Sequence, residues 1–150
     1  MISVILVRHA DIDPPTPPGK PGPGLNNAGR VRAQALADHL RGAGVSTIFT
    51  SEYTRTKQTV EPLAAHTGIV PSEVPEPPSE LAKRVTSGAL GRVIVIAGHS
   101  NTVPDMIGAL GVPGPPPDIG HGDFDNMFVV TVAATGNAGL LHLKYGARSV

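Results

Sequence analysis

The chain contains no cysteine and no tryptophan. The first absence excludes disulfides, thiolate nucleophiles and cysteine-based metal sites. With only three phenylalanines and two tyrosines, the core has to be aliphatic, and stacking platforms for nucleic-acid bases have too few rings to be built from. Net charge is also missing. Twelve basic and twelve acidic residues cancel, so no global field favours nucleic acid or an anionic membrane. No apolar run approaches the length of a membrane span. The opening run, residues 2–7, has neither a basic leader nor a small-residue cleavage site. It reads as a strand, which makes the cytoplasm the default compartment.

Proline and glycine are plentiful, with 16 and 18 residues. Many of them fall in two stretches, "PPTPPGKPGPG" (14–24) and "VPGPPPDIGHGD" (112–123). Neither stretch can be helix or central strand, so both read as stiff loops. A length of 150 residues suits one domain, 1–150, with a real core. The runs "ISVILV" (2–7) and "RVIVIAG" (92–98) are apolar on both faces, as in parallel strands covered by helices on both sides. "VSTIFT" (45–50) predicts a third strand, and 68–78 an extended link. Helices are expected from Asn26 or Asn27 to about Arg41, after Ser51 acting as cap, from Ser79 to Gly88, and after His99 with Pro104 in the first turn. Ala28, Val31, Ala35, Leu36 and Leu40 mark the buried face of the first helix. "NMFVVTV" and "GLLHLKY" predict a closing hairpin. Together these elements predict a three-layer α/β/α sandwich with a mostly parallel central sheet and an antiparallel component.

Two strands end in the same unusual way. "ILVRHADID" passes from apolar residues directly to Arg8 and His9, and "IAGHSNT" does the same at His99. In open α/β sheets the carboxyl ends of the strands line the ligand crevice. If the two strands are neighbours, the imidazoles face each other across that crevice. Arg8 adjoins His9, and Arg55, in the first turn of a helix that follows a strand, starts at the same edge. Guanidinium forks match paired phosphate oxygens. The helix start near Asn101 and Thr102 adds anion affinity. This is a phosphate site containing a candidate nucleophile. A metal is the other use for a histidine pair. Here no carboxylate stands at ligand spacing, and the arginines would repel a dication. Single histidines are usually structural, which covers His39, His66, His121 and His142.

"LVRHA" (6–10), "TSEYTRTKQT" (50–59) and "GHSNT" (98–102), in that order at strand exits, resemble the motifs of the histidine phosphatase superfamily, the relatives of phosphoglycerate mutase. The resemblance implies that His9 is the nucleophile that forms a phosphohistidine and that His99 stabilises the transition state. It implies that Arg8 and Arg55 clamp the phosphoryl group with help from Asn101 and Thr102, and that neither a metal nor another cofactor is required. The expected partner is a small phosphorylated substrate or a phosphoprotein, and the sequence leaves the oligomeric state open. Family members often add a carboxylate that protonates the leaving group. Asp11, two residues after the nucleophile, and Glu76, after the third extended segment, are the candidates, with Glu76 preferred as the acid and Asp11 also considered for substrate binding. Glu52 stands where relatives often have proline. The 43 residues between Arg55 and His99 leave little room for a specificity insertion, which favours hydrolysis over mutase activity. The competing expectation is a phosphate- or phosphoprotein-binding module without turnover.

Overall fold

The computed structural model describes residues 1–149 other than Pro15, Pro18 and Pro75. Two of these prolines belong to the first proline-rich loop and the third to the extended link. In chain order the elements are β1 (Ile2–Arg8), α1 (Asn27–His39), β2 (Thr47–Thr50), α2 (Thr54–Thr67), β3 (Ser72–Glu73), α3 (Pro78–Thr86), β4 (Val93–Gly98), α4 (Thr102–Ala109), β5 (Asn126–Val132) and β6 (Ala138–Lys144). The strands form one sheet in the order β3-β2-β4-β1-β5-β6. The pairs β3–β2, β2–β4 and β4–β1 are parallel, while β1–β5 and β5–β6 are antiparallel. The expected layered architecture is therefore present.

The apolar runs serve both faces of the sheet. Alternate residues of a strand point to opposite sides. Val4 and Leu6 pack with Leu81 and Val85 of α3 and Val103, Met106 and Ile107 of α4. Their neighbours Ile5 and Val7 pack with Leu36 of α1 and Val60 and Leu63 of α2. Leu6, Val7, Val95 and Leu36 are fully buried. At such positions, truncating a leucine to alanine typically costs about 2–5 kcal/mol.

The inward face of α1 keeps Leu36 and Leu40 of the expected set but is rotated away from its first apolar residues. Val31 is 67% exposed and Ala28 is exposed, whereas Gly29, Arg32, Ala33, Leu36 and Ala37 are buried. A charged residue turns inward because partners await it. The Arg32 guanidinium binds the Asp11 carboxylate through Nε at 2.6 Å and the carbonyls of Tyr145 and Ala147 through Nη1, both at 2.9 Å. Gly29 lies so close to the backbone after His9 that a Cβ there would overlap the Asp11 carbonyl oxygen. The first turn of α1 thus braces the segment that follows the nucleophile candidate.

Candidate active site

The register of β1 and β4 sets the site. Arg8 pairs with Gly98, and the His9 amide donates to the Gly98 carbonyl at 2.8 Å. His9 and His99 therefore leave the sheet side by side, with ring centroids 5.4 Å apart. Arg55 is the second residue of α2. These four side chains, with Tyr53, Asn101 and Thr102, line one cleft of about 370 Å³. Among its described lining residues there is no aspartate or glutamate.

The cations of the cleft are fixed but only partly hydrogen-bonded. Arg8 Nη1 donates to the carbonyls of Gly120, His121 and Asp123 at 3.0, 2.9 and 3.1 Å, and its guanidinium lies over the Phe124 ring at 4.3 Å. The Arg55 guanidinium lies over Tyr53 at 4.4 Å. Arg8 Nε and Arg55 Nε and Nη1 are buried without a hydrogen-bond partner. Buried donors left unpaired are costly. Three of them, on two adjacent cations, call for an anion. Gly22 of the first proline-rich loop comes so near that a Cβ would stand 2.8 Å from Arg55 Nη1, so the loop walls the arginine.

His9 is 4% exposed, and its Nδ1 lies 2.8 Å from the Ala10 carbonyl. A carbonyl only accepts, so Nδ1 carries the proton and a neutral ring keeps its lone pair on Nε2. Burial, reinforced by Arg8, His99 and Arg55 and opposed by the Ala10 carbonyl, holds the His9 pKa down at about 3. Burial, rather than the neighbouring arginines, is the larger cause of its neutrality. His99 is held at about 4 by burial and then by Arg55 and Arg8. Its Nε2 lies 2.8 Å from Ser51 Oγ, which leaves Nδ1 for the cleft.

Two predicted participants are not brought into the cleft. Asp11 is committed to Arg32. The Glu76 carboxylate is bound by Arg84 Nη1 at 2.5 Å, and Glu76 lines a neighbouring cavity that meets the cleft only at His99 and Thr102. Thr102 also closes the start of α4, its hydroxyl accepting the His99 amide at 2.9 Å. Ser51 does not cap α2. That helix begins at Thr54 after Tyr53, and Ser51 instead serves His99. Glu52 pairs with Lys20 of the proline-rich loop at 3.0 Å. Sequence reasoning also missed Thr59, whose hydroxyl accepts the Ala10 amide and donates to the Arg55 carbonyl, both at 2.7 Å. Its position one turn after Arg55 on the same helix was the available signal.

The family model of the histidine phosphatase superfamily (branch 1) matches residues 4–89. The chain belongs to this superfamily. Similar solved structures include the protein histidine phosphatase SixA complexed with tungstate, at 19% identity and a TM-score of 0.77, covering 95% of this chain and 97% of that one. Another is the mycobacterial glucosyl-3-phosphoglycerate phosphatase, at 14% identity and a TM-score of 0.70, covering 93% and 96%. Identities this low establish the shared fold. Among curated proteins, the PE-PGRS family protein PE_PGRS11 of Mycobacterium tuberculosis is 45% identical over 56 residues. That match spans 37% of this histidine phosphatase chain and only 10% of the relative. Among the described residues no helix is long and apolar enough to cross a membrane, and no three His, Asp or Glu side chains gather as a metal site would require.

Proposed function

We propose that residues 1–150 act as one metal-independent cytoplasmic phosphatase domain that hydrolyses phosphomonoesters or phosphohistidine through a phosphohistidine on His9. The phosphoryl group sits against Arg8 and Arg55, whose unpartnered N–H groups meet its oxygens. His9 Nε2 attacks phosphorus, and the bond to the leaving atom breaks with its electron pair. Water then attacks the phosphohistidine, releasing orthophosphate and the free imidazole. His99 Nδ1 donates to an oxygen whose charge grows in the transition state, with Asn101 and the start of α4 beside it. The observation that carries this reading is the His9 ring, neutral and held by Ala10, with Nε2 free beside two incompletely bonded guanidinium groups. The test is a phosphatase assay in chelator with wild type and His9→Ala. Activity should persist in the first and vanish in the second, and an acid-labile phosphoryl group should be trapped on His9. Full activity in His9→Ala would sink the proposal.

A phosphate- or phosphoprotein-binding module is the second reading, favoured by the lack of a carboxylate in the cleft lining. It expects tight phosphate binding that weakens in Arg8→Ala and Arg55→Ala, with no phosphoenzyme. Steady turnover of any monoester excludes it.

A further inference from the structure

Beside the phosphate cleft lies a second cavity of about 130 Å³, between the carboxyl edge of the sheet and helices α3 and α4. Its walls are mainly apolar, with Val74, Leu81, Ile96, Val103 and Met106 among them. His99 and Thr102 line both spaces, so His99 stands at the boundary between them. In-line displacement at phosphorus puts the leaving group opposite His9. His99 lies beside His9, ring centroids 5.4 Å apart, at the point where the cleft continues into the apolar cavity.

We infer that this cavity is a leaving-group subsite, and that the substrates it selects are small aryl phosphates. The inference rests on the phosphatase reading and adds its substrate class. Size is the first argument. A dry protein cavity of roughly 150 Å³ holds benzene, so a space of about 130 Å³ is on the scale of a single ring rather than of a nucleoside. Lining is the second, because apolar walls would strip the water from a polyol without repaying its hydrogen bonds. Chemistry is the third. The carboxylate in the wall of this cavity, Glu76, is held by Arg84, and none lines the cleft itself. A site whose carboxylate is held in an ion pair favours a leaving oxygen that needs no protonation. A phenolate leaves in that form readily, since phenols ionise near pH ~10, whereas an alkoxide is far more basic. The step balances without another reactant. Nε2 of His9 bonds to phosphorus, the P–O bond to the aryl carbon's oxygen breaks, and the electron pair leaves as phenolate, which takes its proton from solvent.

The test compares phenyl phosphate, methyl phosphate, acetyl phosphate and a phosphohistidine peptide on wild type, Val74→Trp and Met106→Phe. Acetyl phosphate has a good leaving group too small to need the cavity, so it reports folding and the His9 chemistry independently. Phenyl phosphate should exceed the phosphohistidine peptide in kcat/KM, and methyl phosphate by more than about a hundredfold. Filling the cavity should cut phenyl phosphate turnover by about tenfold or more and leave acetyl phosphate within about twofold. The size of this effect follows from losing the burial of one ring. If acetyl phosphate is hydrolysed through His9 while the filled variants handle phenyl phosphate as wild type does, the subsite is overturned and the phosphatase reading stands. Preference for the phosphohistidine peptide overturns it likewise. If wild type hydrolyses none of the four, the phosphatase reading itself has failed.

Discussion

Ser51 Oγ lies 2.8 Å from His99 Nε2. With Thr56 as the donor in its 2.8 Å contact with Ser51 Oγ, Ser51 keeps its own proton for His99 Nε2, which puts the ring proton on Nδ1. His99 thereby becomes a hydrogen-bond donor without becoming a cation, which fits its depressed pKa. Ser51→Ala should lower kcat by about tenfold, the worth of one buried hydrogen bond, with KM nearly unchanged. Ser51→Thr should restore most of it. A loss confined to KM would show that Ser51 does not act through His99.

The two site histidines predict a pH dependence of stability. Their pKa values sit near 3 and 4 in the folded protein and near ~6.5 in an unfolded chain. Between these limits the unfolded state binds more protons, so stability falls as pH falls from about 6.5 toward 4. Above about 6.5 both groups are neutral in both states and contribute no slope. Urea midpoints measured at about pH 7.5 and about pH 5 should therefore separate in wild type. The separation should shrink in His9→Gln, and an unchanged separation would contradict the assignment.

His99→Ala removes a donor while sparing the nucleophile. Loss of a comparable oxyanion donor costs about 10²–10³ in rate. Phosphoryl label should still reach His9 in this variant, only more slowly. Label found on His99 in wild type would reverse the two roles.

Arg32→Met tests the bond between α1 and the chain's closing segment. It strands the Asp11 carboxylate and two carbonyls. A broken buried pair typically costs about 3–5 kcal/mol, to be read as a shift in the urea midpoint. A change below about 1 kcal/mol would mean that solvent satisfies those groups equally well.

The parts of this molecule legible in its sequence are those governed by local rules. Apolar runs gave the central strands, and the histidines at their exits gave the centre of the site. Arg55 followed from its place in a helix's first turn. Long-range pairing was not legible. Nothing near Arg32 in sequence signals that partners at 11, 145 and 147 will turn it inward, so hydrophobic periodicity placed Leu36 and Leu40 correctly but misplaced Ala28 and Val31. Arg8 is held by carbonyls more than 110 residues away, and backbone acceptors leave no mark on residue identity. Ser51 had the chemistry of a helix cap, and only the fold brings it against His99. Asp11 and Glu76 stood at reasonable positions but were already engaged by arginines.

The place of β1 in the sheet bears on how the chain is made. It is the first strand in sequence, yet it is paired on one side by β4 and on the other by β5. Both partners come late, at 93–98 and 126–132. Until β4 has been made the apolar "ISVILV" segment has two unpaired edges, and until β5 has been made it still has one. Such segments invite pairing with other chains. Fragments that stop before β5 are therefore expected to aggregate, and to bind chaperones that recognise extended apolar peptide, even though they already carry both histidines and both arginines of the site.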